Sequence, residues 1–183
     1  MPVRQMKMTV GSVAGSEALM KSYPFDDGKN YLMPTYSLTV GGTDDGGQAV
    51  SKQFSVIRYG IKCESKGGRV YVVGLSDDQQ YTIKMWLPGY TPDTSEPGAW
   101  KVKGNYLVHD GPDNIATDRY GAVGCIELCG ANQFNAFNDY LISISGLASS
   151  SKSKAEKLLE IGSSGKLSIH YLKATPPPLK LKS

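Results

Sequence analysis

The sequence predicts a mostly β fold with two short helices, on three observations. Short runs of β-branched and aromatic residues recur through the first two thirds of the chain, separated by turns rich in Gly, Pro, Asn and Asp. Helical spacing of apolar residues begins only after Cys125. The chain has 183 residues, of which 40% are hydrophobic, enough to bury one core. We expect a single domain over residues 1–174, followed by a Pro/Lys-rich tail over 175–183.

Apolar and alternating runs mark the expected strands. They cover residues 6–13, 32–40, 54–61, 69–75, 81–87, 106–108 and 166–172. The turn Ser65-Lys-Gly-Gly68 predicts that 54–61 and 69–75 form a hairpin. The Gly- and Asp-rich stretch 41–47 is typical of a loop. Many short strands at this spacing are typical of a β-sandwich or a barrel.

Two helices are predicted near the C-terminus. Apolar residues at helical spacing indicate a helix over 132–145, which Gly146 would end; they are Phe134, Phe137, Leu141 and Ile144. Ser153-Lys-Ala-Glu156 is a capping-box pattern and predicts a second helix that ends at Gly162. The tail opens with three prolines. Because proline has no N–H to donate, we expect the tail to stay outside any sheet.

Composition and charge exclude several classes of function. The net charge is only +3 and no basic run is interleaved with aromatic residues, so no nucleic-acid partner is expected. There is no long apolar run and no apolar signal core, so neither membrane insertion nor a conventional secretory signal is predicted. Three cysteines exclude a complete disulfide framework, and their spacing matches no familiar zinc motif. No metal and no cofactor are therefore expected.

The residues with chemical potential are a histidine and a cysteine at the ends of two apolar runs. His109 follows the predicted strand 106–108, and Cys125 stands sixteen residues later, at the start of the next run. A thiol and an imidazole placed this way can meet as nucleophile and base. A backbone carbonyl of the Asp110-Gly111 turn could orient the ring, and Gly124 would let backbone N–H groups point at an oxyanion. Cys63, Cys129 and His170 are interpreted as structural residues.

The motif His109-x-Gly111 followed by Gly124-Cys125-Ile126 resembles the signature of the L,D-transpeptidase catalytic-domain family. Pro97-Gly98-Ala-Trp100 is similar to an element upstream of that family's histidine, and the likeness covers roughly residues 86–141. The resemblance implies an L,D-transpeptidase-like β-sandwich with a helix after the cysteine. It also implies a catalytic set, in which Cys125 is the nucleophile, His109 the base, Asp110 the residue whose carbonyl holds the base, and Gly124 with Cys125 the oxyanion-hole backbone.

Two departures from the family pattern bear on substrate choice. Ala122-Val123 stand where the family has a serine-histidine pair. Glu127 stands where the family usually has arginine or asparagine, at a position that shapes the pocket. Loop residues between the histidine and the cysteine could touch the substrate, and a carboxylate there suits a cationic amine. The predicted substrate-binding residues are Gly111, Asp113, Arg119, Tyr120 and Glu127.

The function expected from this reading is cysteine-dependent acyl transfer on peptidoglycan stem peptides, by transpeptidation, D-amino-acid exchange or carboxypeptidase hydrolysis. The short motif is also similar to that of phage-associated wall proteins and of antibacterial effectors, including toxins of type VI secretion. We expect a protein made in the bacterial cytoplasm that acts on the periplasmic cell wall, of its own or of a target cell. Its partners would be the wall peptide and, for an effector, a cognate immunity protein or a secretion-system component.

Two alternatives of other classes stay open. One is a non-catalytic binding or adaptor module that keeps a degenerate version of the fold, which the absence of a histidine at position 123 favours. The other is a Cys–His amidase or deamidase with a different target. Activity on wall peptides separates the first alternative from the leading hypothesis, and breadth of substrate separates the second.

Overall fold

A computed structural model describes residues 2–91 and 96–183 of the chain. These residues form fourteen strands and two helices, which confirms the predicted class, mostly β with two short helices. The strands are β1 (Met6–Val10), β2 (Glu17–Lys21), β3 (Tyr23–Pro24), β4 (Tyr31–Thr43), β5 (Ala49–Ile57), β6 (Gly60–Cys63), β7 (Tyr71–Val73), β8 (Gln79–Thr82), β9 (Met85–Leu87), β10 (Ala99–Lys103), β11 (Tyr106–Asp110), β12 (Tyr120–Gly121), β13 (Ile126–Leu128) and β14 (Leu167–Tyr171). The helices are α1 (Gln133–Ser145) and α2 (Lys154–Ser163).

Eleven of these strands form one curled sheet, and the other three form a small second sheet. Neighbours in the large sheet run in the order β8-β14-β1-β4-β5-β13-β11-β10-β9, while β2 pairs with β4 and β12 pairs with β2. The small sheet has the order β3-β6-β7. β11 and β13 are adjacent and parallel, which places the segments around His109 and Cys125 side by side.

The hairpin β4–β5 contains two glycines that the sequence predicts to lie in a loop. Gly41 and Gly42 continue β4, and Gly42 pairs with Val50 of β5. A Cβ on Gly42 would lie only 3.1 Å from Cδ1 of Ile144 in helix α1. The glycine therefore belongs to the strand because it permits close packing of the helix, a reason that local composition does not reveal.

Other strand boundaries also differ from the prediction. The predicted strand 54–61 is divided between β5 and β6, with the fully buried Arg58 between them. The Arg58 guanidinium donates to the carbonyl oxygens of Gly11, Leu75 and Leu172, which holds the chain at this break. The predicted hairpin is consequently limited to β6 and β7, and the predicted strand 81–87 is divided between β8 and β9. β2 was not predicted.

Helix α1 follows β13, the strand that begins just after Cys125, and packs on β1, β4, β5 and β11. It buries the predicted apolar stripe and ends at Gly146, whose φ of 89° is the left-handed conformation of a helix stop. α2 begins with the predicted capping box of Ser153 and Glu156 but runs past Gly162, where a Cβ would lie 2.6 Å from the backbone nitrogen of Trp86. No helix in the described ranges is long and apolar enough to cross a membrane.

The tail pairs with a strand, contrary to the expectation. Leu181 forms an antiparallel bridge with Tyr31, and the N–H of Lys182 donates to the carbonyl of Asn30 at 2.9 Å. The three prolines occupy only the first part of the tail, so the residues after them retain the N–H groups that pairing needs. The tail therefore packs on the start of β4 and on the loop before it.

Candidate functional site

The pairing of β11 with β13 brings together the two residues on which the sequence analysis centred. In this parallel pair His109 lies opposite Glu127, and Cys125 immediately precedes β13. The half-buried Cys125 thiol lies near the His109 ring, close enough to favour the protonated form of the ring. The thiol also lies 3.6 Å from the carbonyl oxygen of Asn105, in the turn between β10 and β11. A cysteine and a histidine separated in sequence thus form one site.

The His109 ring is held at both of its nitrogens. Nδ1 lies 2.7 Å from the carbonyl oxygen of Asp110. Because a carbonyl only accepts hydrogen bonds, Nδ1 carries a proton and donates it. Nε2 lies 3.2 Å from Oε1 of Glu127, and both side chains are about 4% exposed. The sequence analysis expected the Asp110 carbonyl to hold this ring, and Glu127, which it placed at the pocket, contacts the ring as well.

The electrostatics of this pair follow from burial and from the short contact. Burial disfavours the charged imidazolium, but the carboxylate of Glu127 and the hydrogen bonds of Cys125 and Glu127 outweigh burial and raise the pKa of His109 to about 10. Burial raises the pKa of Glu127, and the imidazolium of His109 opposes that rise. The two groups are therefore coupled, and the proton between them is retained over a wide pH range.

Two residues support the Asp110 side of the site. The hydroxyl of Tyr120 donates to the same Asp110 carbonyl at 3.2 Å, so this oxygen receives both Tyr120 and His109. The ring of Tyr90 lies 5.1 Å, between centroids, from the ring of His109. Tyr120, which was predicted to bind substrate, also holds the backbone carbonyl that the His109 ring contacts. Tyr90 was not predicted, since no local pattern distinguishes it.

A buried acidic group lies behind this backbone. Carboxylate oxygens of Glu96, Asp110 and Asp113 lie within 4.8 Å of one another, and only Asp113 is exposed. Burial raises the pKa of Glu96 to about 7, while the N–H of Asn135 in the first turn of α1, 2.7 Å away, opposes the rise. The nearby Asp110 carboxyl also raises the pKa of Glu96, which favours the protonated form of Glu96. Oxygen ligands of this type suit Ca²⁺ or Mg²⁺. A protonated Glu96 satisfies the same geometry, so we do not assign this cluster as a metal site.

Glu96 was missed by the sequence analysis. The available signal was its position directly before the Pro97-Gly98 element that resembles the family. Glu96 accepts a hydrogen bond from the N-terminal turn of α1 and lies beside Asp110 and Asp113, so it joins the helix to the acidic group.

A cavity of about 670 Å³ opens in front of Cys125 and His109. Four of the residues that the sequence analysis assigned to substrate binding line it, namely Asp113, Arg119, Tyr120 and Glu127. Gly111 is not among its lining residues; it packs on β13, where its N–H donates to Leu128 and a Cβ would lie 2.6 Å from the Leu128 oxygen. Further lining residues include Lys21, Tyr23, Tyr90, Thr91 and Asp118.

The cation of Arg119 is already engaged by protein groups. Its guanidinium forms an ion pair with both carboxylate oxygens of Asp26 and donates to the Asn30 side chain and the Lys29 carbonyl. This contact lowers the pKa of Asp26 to about 2. Arg119 thus ties the cavity wall to the loop before β4.

Glycine at position 124 is required by backbone geometry. Its φ is +105°, and a Cβ there would lie 2.9 Å from Cε1 of Tyr106. The left-handed conformation turns the chain directly before Cys125, in agreement with the turn that the sequence predicts at this point. The backbone N–H groups of Gly124 and Cys125 are the predicted oxyanion donors, and this turn decides where they point.

The remaining thiols and the second histidine have structural surroundings. Burial raises the pKa of Cys129 to about 12, which keeps this thiol protonated and unreactive. Cys63 is buried, with its sulfur 3.2 Å from the Ser65 carbonyl. His170 contacts Asp78, with Nε2 and Oδ1 2.8 Å apart. Among the three cysteines, Cys125 is the one that combines access to the cavity with a histidine neighbour.

Comparison with known proteins returned no matching family, no similar curated protein and no similar solved structure.

Proposed function

We propose that this protein is a cysteine acyl-transfer enzyme of the L,D-transpeptidase type that acts on peptidoglycan stem peptides. The observation that supports this most is the array of Cys125, His109 and the Asp110 carbonyl at the head of an open cavity. The fold is curled and β-rich, and helix α1 follows β13, the strand that begins just after Cys125. This arrangement is compatible with an L,D-transpeptidase-like β-sandwich.

The reaction that these groups can perform has two steps. The Cys125 thiol gives up its proton, its sulfur bonds to the carbonyl carbon that precedes a terminal D-amino acid, the C–N bond breaks, and the leaving amine takes a proton from His109. An amine or a water molecule then attacks the thioester, the S–C bond breaks, and the proton of the incoming nucleophile passes to His109. Backbone N–H groups at Gly124 and Cys125 would stabilise the oxyanion in both steps.

The charge pattern of the cavity supports a zwitterionic peptide as the substrate. Lys21 and the carboxylates of Asp113 and Asp118 are among the residues that line the cavity. A stem peptide carries both carboxylate and amine groups, so both signs of charge can be matched. Transpeptidation, exchange and hydrolysis use the same acyl-enzyme and differ only in the acceptor.

Intact-mass analysis with purified tetrapeptide muropeptides tests the reaction class and the nucleophile together. Wild-type protein is expected to release or exchange the terminal D-amino acid, while Cys125→Ala should be inactive because the acyl-accepting sulfur is gone. Cys63→Ala is the matched control, since that buried thiol lies outside the cavity lining, and it should retain activity. Unchanged muropeptides with wild type, together with a Cys125 that iodoacetamide does not alkylate, would contradict the proposal.

We also propose that the site of action is the bacterial wall, as an antibacterial effector or as a phage-associated enzyme. Production directed to the periplasm of a host bacterium is then expected to slow growth, whereas cytoplasmic production is harmless because no wall peptide is present there. Cys125→Ala directed to the periplasm is the control. Equal harmlessness of wild type in both compartments would rule out the effector version.

A binding or adaptor module is the second candidate. The contact between Glu127 and Nε2 of His109 favours it, because the carboxylate occupies the nitrogen that a cysteine–histidine pair uses. For such a module, muropeptides would bind with the same affinity to wild type and to Cys125→Ala, and neither protein would change them.

A further inference from the structure

The hydrogen-bonding positions of His109 define its protonation. Nδ1 faces the Asp110 carbonyl at 2.7 Å, and Nε2 faces a carboxylate oxygen of Glu127 at 3.2 Å. The Asp110 carbonyl and an ionised Glu127 carboxylate are both acceptors, so a ring that satisfies both contacts carries a proton on each nitrogen. A neutral ring with a bare Nε2 would set its lone pair against the buried, charged oxygen of Glu127, which is unfavourable in a site shielded from water.

We infer that Glu127 is a positioning residue that keeps a proton on Nε2 of His109, so that His109 enters the reaction as an imidazolium and as a proton donor. The catalytic part of this inference rests on the proposed function, whereas the protonation of the ring does not. The resemblance places Glu127 only at a pocket-shaping position, and the contact with the base follows from the structure alone.

Groups from every neighbouring element are compatible with this assignment. Glu127 and Cys125 approach from β13 and the turn before it, and both favour the protonated ring. Tyr90 presents an aromatic ring, and Tyr120 donates to the Asp110 carbonyl from the other side. The carboxyl groups of Asp110 and Glu96 lie behind that carbonyl, with carboxylate oxygens within 4.8 Å of each other. These groups leave the Glu127 carboxylate as the nearest counter-ion of the ring.

The proposed proton movements balance over one cycle. The thiol of Cys125 first loses its proton to water, and the S–C bond then forms as the C–N bond of the substrate breaks. The leaving amine takes the proton from Nε2, which leaves a neutral ring facing the Glu127 carboxylate. Because that state is unfavourable, Nε2 readily accepts the proton of the incoming amine or water as the thioester breaks. The imidazolium is restored and the thiolate is released, so the donor for the next cycle is ready.

Nitrogen NMR of protein with ¹⁵N-labelled histidine tests the inference without a substrate. The chain has two histidines, and His170→Asn assigns their signals. At about pH 8, which is above the ordinary pKa of histidine, both ring nitrogens of His109 should be protonated in the wild type. Glu127→Gln should leave one of them unprotonated. Asp78→Asn removes the carboxylate beside the other histidine and is the matched control, which should not alter the His109 signals.

The kinetic arm examines the same residue with muropeptides. Glu127→Gln is expected to lower turnover about 10-fold or more and to accumulate the acyl-enzyme in intact-mass spectra, since the weaker base slows removal of the acyl group. Glu127→Asp, which restores the charge, should recover part of the rate.

A wild-type His109 with a bare Nε2 at about pH 8 would overturn the inference, and this result needs no variant to fold. An unchanged His109 spectrum in a folded Glu127→Gln protein would overturn it as well. Inactive wild type with two protonated His109 nitrogens would instead defeat the proposed function and leave the protonation of the ring standing.

Discussion

At the scale of single residues, the candidate site depends on one substitution relative to the pattern that the sequence resembles. Glu127 puts a buried carboxylate beside Nε2 of His109, where the resembling family usually has arginine or asparagine. The contact makes the base a tightly held imidazolium instead of a neutral acceptor, and it does so at a position that the sequence analysis assigned to the substrate. The same contact also couples the stability of the fold to pH.

The pH dependence of stability follows from the raised pKa of His109. The folded chain holds this proton with a pKa of about 10, against an ordinary value of 6.5 in the unfolded chain. The contribution of His109 is therefore complete below about pH 6.5 and is lost as pH rises towards about 10, because the native state binds more protons across that window. Urea unfolding should show the wild-type midpoint falling over this range.

Glu127→Gln should show a smaller fall over the same window. Glu17→Gln is the control, since Glu17 is a surface carboxylate paired with Lys180 and lies outside the cavity lining. The same pH slope in wild type and in Glu127→Gln would contradict the assigned contact.

At the scale of elements, two parallel strands and the turn before one of them build the site. β11 carries His109 and Asp110, β13 carries Glu127, and the positive φ of Gly124 turns the chain so that Cys125 can reach the ring. Helix α1 begins just after β13 and receives Glu96 at its first turn. The site is thus held by regular structure on both sides, which limits how far its groups can move.

Gly124→Ala tests the role of that turn. The φ of +105° strains any L residue, and the added Cβ would meet the ring of Tyr106 at 2.9 Å. Urea unfolding should show destabilisation of about 1–3 kcal/mol. Mass analysis should show loss of activity on muropeptides. Gly47→Ala is the matched control, because Gly47 has a φ of +79° and no atom within 4 Å of the added Cβ. Equal effects of the two substitutions would show that packing at Gly124 does not matter.

At the scale of the whole molecule, distant segments meet around the cavity. The tail bridges to Tyr31 and bonds to the loop before β4, and that same loop holds Arg119 through Asp26. The C-terminal end of the sequence therefore supports one wall of the candidate site although the tail residues themselves lie outside the cavity lining.

Deletion of residues 176–183 tests this support. Two backbone hydrogen bonds from the tail to the chain near Tyr31 would be lost, so destabilisation of about 1–3 kcal/mol is expected. Because Arg119 would be held less firmly, KM for muropeptides should rise more than kcat falls. Lys180→Ala is the milder comparison, since it removes only the surface ion pair with Glu17 and should cost about 1 kcal/mol or less. An unaltered unfolding midpoint and KM after the deletion would contradict the supporting role.

The sequence by itself determined the β-rich class, the apolar stripe of α1 and the capping box of α2. It also identified Cys125 and His109 as the candidate site residues. These features are local, because strand and helix patterns and turn chemistry are expressed within a few residues of one another. The predicted strand ends were less accurate, because the conformation at Arg58 and Gly42 depends on contacts with distant parts of the chain.

Only the tertiary structure decided what surrounds the histidine. The parallel register of β11 and β13 sets Glu127 opposite His109, and packing on α1 brings in Glu96. Burial then gives these carboxylates an influence on the imidazole that the same residues would lack in water, because electrostatic interactions strengthen as the local dielectric falls. Register and burial are properties of the assembled sheet, so no pattern along the chain could predict the protonation of His109.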